Sequence, residues 1–273
     1  LRREFPESII SEQAVESLAQ TALTLGQPER AAQALDAYSK TVGKPSLSLL
    51  RARAREKSKR LLAAAEDYLA VYVKFPLSDE ARAAGPKIPR LTRVLGEAFP
   101  GVPVSQQMSR AAAFFDARKW REARSEYERL LPKVGGRDRE LVQLRMARCR
   151  VQLGAGPKTL ASLKLTDPEL DAERFYALSQ EERSRKHEDK MLAVIEQAVE
   201  RAPRSRWAEE ALFAAGNYFW ILLDRPRAAS YYERLVARFP AGRNVIAAHW
   251  RLAWVAYLDQ RAETASLIEE HLR

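Results

Sequence analysis

The stretch that decides the fold runs Leu212-Phe213-Ala214-Ala215-Gly216-Asn217-Tyr218-Phe219-Trp220, then Ala228-Ala229-Ser230-Tyr231-Tyr232, and closes on Phe239-Pro240. In both blocks apolar or small residues recur three and four apart, the spacing of one helix face. Between them lies Asp224-Arg225-Pro226. Proline is tolerated in a helix's first turn, where its missing N–H leaves no bond unmade. Two helices joined by a tight turn follow. Gly216 and Ala228 are small enough to let the helices approach, while Phe219 and Tyr232 fill the space beside that contact.

The rest of the chain repeats this unit. Its 14 prolines need a reason, because proline breaks helix interiors. Pro6, Pro45, Pro76, Pro100, Pro132, Pro168, Pro203 and Pro240 stand 39, 31, 24, 32, 36, 35 and 37 residues apart. Periods of roughly 35 mark paired-helix repeats. Each of these prolines is expected to end a second helix, whereas Pro28, Pro157 and Pro226 are expected in first turns of second helices. Leu212, Ala215, Gly216 and Phe219, with Ala228, Tyr232 and Pro240, fit the tetratricopeptide template at its own spacing. Trp250, Ala253, Trp254 and Tyr257 begin the next unit, and earlier units match more weakly.

Composition agrees. Over 273 residues, 46% are hydrophobic and 30% charged, with 11 glycines and no Asn-Gly or Asp-Gly hairpin turn. Five Trp, nine Tyr and nine Phe are too many for a disordered chain. Cys149 alone cannot form a disulfide framework. The most apolar run free of ionisable residues, Ala211 to Leu223, is too short to span a bilayer. The expected fold is all-α: an α-solenoid or superhelix of about seven tetratricopeptide-like helix pairs. Helices are expected at 11–25, 28–41, 46–57, 59–74, 78–85, 88–99, 105–117, 120–131, 138–153, 157–163, 168–184, 188–202, 206–222, 225–238, 243–258 and 261–272. They form one domain over 1–273, with irregular joints near 85–104 and 132–138. The chain opens on Leu1 without a leader and stops on a helix, so either a leader was removed or this is a piece of a longer protein.

Chemistry-bearing motifs are absent: no phosphate-binding glycine loop, zinc-protease signature or Cys-x-x-Cys occurs. Gly154-Ala155-Gly156, followed by Pro157, reads as a helix stop. Cys149 reads as a packing residue, and Glu209-Glu210 as ordinary polar-face residues. No catalytic residue, metal or cofactor is expected. The net charge is +10. Its densest cluster is Arg51, Arg53, Arg55, Lys57, Lys59 and Arg60, opposed locally only by Glu56. Nucleic acid is disfavoured, because no aromatic interleaves the cluster to stack on bases. A solvated face or attraction to an anionic polymer is the preferred reading. The candidate concave binding face carries Glu210, Phe213, Asn217 and Trp220, then Ala248, Arg251, Val255 and Leu258 in the next unit. Asn217 and Trp220 offer hydrogen bonding and stacking to a sugar or peptide; the simpler role for Trp220 is packing against the neighbouring repeat.

From Arg204 to Leu272 the chain resembles the helical superhelix region of soluble lytic murein transglycosylases. The most specific strings are Glu209-Glu210-Ala211-Leu212 and Ala248-His249-Trp250-Arg251-Leu252-Ala253-Trp254. That family cleaves peptidoglycan glycan with a lysozyme-like domain whose acid/base Glu precedes Ser and a Gly-rich segment. Glu7-Ser8 and Glu16-Ser17 lack such a segment, so no catalytic residue carries over. The resemblance implies a non-catalytic, N-terminal scaffold of a bacterial periplasmic or cell-envelope enzyme, binding partner proteins or glycan, and expected to be a monomer. A free-standing envelope repeat protein of the outer-membrane-assembly or Tol-Pal type, using the same Phe75-Pro76-Leu77-Ser78 helix ends, is the alternative. A cytoplasmic protein-binding repeat stays open.

Overall fold

The computed structural model describes residues 9–38 and 41–272. Pro6 and the Glu7-Ser8 pair lie outside the described residues. The chain is all-helical, with sixteen α-helices and no strand among the described residues. Two compact units divide between Leu130 and Leu131. The first holds α1 (Ile9–Thr24), α2 (Pro28–Asp36), α3 (Pro45–Lys57), α4 (Leu61–Lys74), α5 (Asp79–Ala84), α6 (Lys87–Leu95), α7 (Val104–Asp116) and α8 (Trp120–Leu130). The second holds α9 (Gly136–Arg150), α10 (Lys158–Ala161), α11 (Pro168–Ser184), α12 (Glu188–Arg201), α13 (Arg206–Ile221), α14 (Arg225–Arg238), α15 (Val245–Leu258) and α16 (Thr264–Leu272).

One turn recurs six times. In α13 the Asp224 N–H donates to the Phe219 carbonyl at 3.0 Å, the Leu223 N–H to the Trp220 carbonyl at 3.1 Å, and Leu223 takes φ +61. These two bonds close the last orphan carbonyls of a helix around one left-handed residue. Gly26, Lys59, Arg118, Lys186 and Gln260 take the same conformation, with φ between 54 and 70. Each is flanked by the same bond pair, as in Arg60 N–H to the Arg55 carbonyl at 2.9 Å and His187 N–H to the Glu182 carbonyl at 3.0 Å. The turns join α1 to α2, α3 to α4, α7 to α8, α11 to α12, α13 to α14 and α15 to α16. Their left-handed residues stand 33, 59, 68, 37 and 37 positions apart. The two long intervals enclose the irregular elements α5–α6 and α9–α10. There α5 spans only six residues before Gly85-Pro86, and α9 widens into a π-type turn over Val151–Ala155, broken at Gly154 with φ +99.

Proline positions differ in part from expectation. Pro76, Pro203 and Pro240 follow helix ends, and Pro28 and Pro226 occupy first turns. Pro45 and Pro168 instead open α3 and α11. Proline's fixed φ suits a helix start as well as it forbids a helix interior, so spacing alone cannot tell the two uses apart. α2 stops at Asp36 rather than at 41. Thr41 Oγ1 donates to the Leu35 carbonyl at 2.7 Å, and Ser48 Oγ donates to the Thr41 carbonyl at 2.7 Å. The Thr41 hydroxyl there takes up the Leu35 carbonyl, which a longer helix would have used.

The apolar interior is a series of clusters, not one core. Val15, Ala19, Leu35 and Leu47 link α1, α2 and α3; Leu49, Tyr68, Val71 and Leu91 link α3, α4 and α6. In the second unit Leu144, Leu160 and Leu170 join α9 to α11, and Leu212, Phe219, Tyr232 and Ala248 join α13, α14 and α15. Several buried charges are paired, which offsets the cost of burying an ion. Asp67 is held by Arg51 and Arg55, Glu173 by Arg145 and Arg148, and Asp171 by Arg174 and Arg201.

Candidate ligand-binding faces

The basic cluster of α3 divides by helix geometry. Residues four apart share a face, and residues two apart do not. Arg51 Nε and Nη2 hold the two oxygens of Asp67 at 3.0 and 2.6 Å. Arg55 reaches Asp67 at 2.9 Å and Asp36 at 2.7 Å. This half-buried network stitches α3 to α2 and α4, so Arg51 and Arg55 are structural cations rather than part of an open patch. The acidic partners lie 15 and 12 or more positions away in sequence, which is why Glu56 looked like the sole opposing charge. Lys59 and Arg60 form the turn after α3, and Arg60 lies 4.0 Å from Asp36.

Arg53 and Lys57 point to the other side. With Leu50 and Glu56 of α3, Gln20, Leu23 and Thr24 of α1, and Lys87 and Arg90 of α6, they line an open groove of about 760 Å³. Its floor is aliphatic, from Leu23 and Leu50, and its rim carries four cations against one carboxylate. Glu56 is already committed. It accepts from Tyr68 Oη at 2.7 Å, Lys87 Nζ at 3.1 Å and Arg90 Nη1 at 2.7 Å. Burial works to raise its pKa, but the bonds from Tyr68 and Lys87 and the charges of Lys87 and Arg90 outweigh it and hold the carboxyl below 4.5. Arg53 and Lys57 have no ion-pair partner among the described residues. The reading of the sequence missed Lys87 and Arg90. Their signal was available, a cationic pair three apart on a helix after Gly85-Pro86, but nothing in sequence tied it to α3.

In the second unit, Glu210, Phe213, Asn217 and Trp220 do share one face of α13, and all four are partly buried. Each has a partner. Glu210 lies 3.5 Å from Arg243, and Phe213 meets the Tyr232 ring with centroids 6.1 Å apart. Asn217 Oδ1 accepts from Tyr232 Oη at 2.7 Å, and burial pushes that phenol up to about 12, so it remains a donor at neutral pH. The Arg251 guanidinium lies 4.5 Å over the Trp220 ring. Ala248 and Val255 are buried, unlike the surface role expected of them. The α13 face is thus spent largely on joining α13 to α14 and α15.

Glu209 overturns its reading as a polar-face residue: it is 4% exposed. Its Oε1 accepts the Asn244 N–H at 2.6 Å, beneath Gly242, where a Cβ would come within 2.6 Å of the same oxygen. Adjacent carboxylates on a helix point about 100° apart, which buries Glu209 and leaves Glu210 only partly covered. Cys149 is fully buried in α9. No group of three His, Cys, Asp or Glu side chains is placed to hold a metal among the described residues. No helix among the described residues is long and apolar enough to cross a membrane. No protein-family model matches the chain. A search of curated proteins finds no match either.

Proposed function

We propose that this chain is a non-catalytic helical-repeat scaffold that works by binding an extended partner. The observation that carries the reading is the sixfold recurrence of one helix-joining turn, because a chain built from repeated helix pairs offers a long, regular surface rather than a single reactive cleft. Tetratricopeptide-like packing of those pairs belongs to the same reading, supported by Gly216 and Ala228 lying where close helix contact needs small residues. The resemblance of residues 204–272 points to the region preceding the catalytic domain of a bacterial lytic transglycosylase, which would position that enzyme on peptidoglycan in the cell envelope. A second reading, an envelope repeat protein that binds other proteins, is favoured by the charged groove of α1, α3 and α6, where Arg53 and Lys57 stand beside an aliphatic floor that a peptide with acidic and aliphatic side chains would fit.

The test is sedimentation of the chain with purified peptidoglycan sacculi at low and high salt, with the soluble fraction analysed for released sugars. Retention at both salts supports a glycan-binding scaffold. Absence of retention at low salt removes the glycan arm and leaves the protein-binding one. Release of anhydro-muropeptides overturns the non-catalytic reading outright.

A further inference from the structure

We propose that the groove between α1, α3 and α6 is a docking site for an acidic, extended peptide segment of a partner protein, one that carries aliphatic side chains among its carboxylates. Two features of the groove select this occupant. Arg53 and Lys57 sit one helical turn apart on α3 without an ion-pair partner among the described residues, while Lys87 and Arg90 supply further charge from α6. Glu56 offsets only part of the rim: its oxygens are taken up by Tyr68 and by the rim cations Lys87 and Arg90, and it leaves Arg53 and Lys57 unpaired among the described residues. A row of cations around a committed carboxylate leaves a positive field that a run of Asp or Glu would complement.

The floor favours a peptide over single-stranded nucleic acid. Leu23 and Leu50 offer an aliphatic seat, and no aromatic ring among the described residues lines the groove. Single-stranded nucleic acid binds through stacking on aromatic side chains as well as charge, and this groove supplies only the charge. An acidic peptide uses both halves: carboxylates on the rim, and Leu or Ile side chains on the floor, where apolar burial adds affinity independent of salt.

The site rests on the scaffold reading but not on peptidoglycan, so loss of sacculus binding leaves it standing. The probe is a short fluorescein-labelled peptide of glutamates with two leucines, titrated with the full chain and followed by fluorescence anisotropy. Saturable binding at low salt is expected, weakening severalfold between about 50 and 200 mM salt. Replacing the two leucines by serine is expected to weaken it about tenfold. Arg53→Glu with Lys57→Glu is expected to cost about tenfold or more, with unchanged circular dichroism because both side chains are exposed. Should the reversal disturb folding, Arg53→Gln with Lys57→Gln keeps the comparison, with a loss of about threefold or more expected. Absence of binding at low salt, unchanged affinity in the charge variants, or an oligothymidylate binding as tightly as the peptide would each overturn the proposal.

Discussion

Gly216 lies against the ring of Tyr232: a Cβ on Gly216 would come 2.5 Å from Cε1 and 2.8 Å from Cδ1 of that ring. No side-chain rotation of Tyr232 is free to relieve this, because the residue is fully buried and its hydroxyl is bonded to Asn217. Alanine is a better helix former than glycine by about 1 kcal/mol, which works against the clash. Overpacking of a tight core contact costs about 1–3 kcal/mol. Gly216→Ala is therefore expected to destabilise by about 1 kcal/mol net in urea unfolding. In a Tyr232→Leu background the ring is gone, and the same change should become neutral or stabilising. Equal cost in both backgrounds would show that the helix contact is not what Gly216 serves.

The six left-handed turn residues give a second expectation of opposite sign. A non-glycine residue in this conformation costs about 1–2 kcal/mol. Leu223 adopts it with 83% exposure, so glycine there loses little packing. Leu223→Gly is expected to stabilise by about 0.5–1 kcal/mol, after the added freedom of the unfolded chain is subtracted. Gly26 has φ +70 and no heavy atom within 4 Å of an added Cβ, so Gly26→Ala should cost about 1 kcal/mol through backbone conformation alone. Thermal unfolding of the two variants side by side checks both signs.

The turns also show where sequence reading stops. Helix existence was legible because apolar periodicity and the Phe-Pro ends are local, and α11 and α14 fall on the expected 168–184 and 225–238. The recurring turn was not, because only one of its six left-handed residues is Gly, and Lys59, Arg118, Lys186, Leu223 and Gln260 carry no common chemistry. Their conformation is imposed by the two helices they join. The α3 cluster failed to resolve for a similar reason. That Arg51 and Arg55 serve Asp67 and Asp36, while Arg53 and Lys57 face a groove completed by α1 and α6, depends on tertiary neighbours.

Glu209 is expected to hold the turn between α14 and α15. Its carboxylate receives the Asn244 N–H and fills the space that Gly242 leaves open. Glu209→Ala strands that N–H, and a buried unsatisfied donor costs about 1–3 kcal/mol. Glu209→Gln keeps an acceptor at the same place and should recover most of the loss. Hydrogen exchange at the Asn244 amide reads the bond directly: protection should fall in the alanine variant and return in the glutamine one. Unchanged protection in both would remove the role.

Acid should loosen the joint between α9 and α11 early. Asp167 caps α11 by accepting the Leu170 N–H at 2.9 Å, and that bond, with the nearby Arg137 guanidinium, holds its carboxyl below 3.8. Glu140 of α9 accepts from the Thr166 hydroxyl and from the Asp167 N–H at 3.0 Å, which holds it below 4.5. A carboxyl whose folded pKa lies below its unfolded one binds fewer protons when folded, so it stabilises above the unfolded value. That contribution fades as pH falls from about 4.5 through the depressed values. Stability at pH 3 should thus be lower than at pH 6. In the double variant Glu140→Gln with Asp167→Asn, which keeps acceptors but cannot titrate, the decline over this window should be shallower. The comparison is a series of urea unfolding curves at stepped pH. A double variant that loses stability on acidification as steeply as the parent would show that these two carboxylates do not set the acid limb.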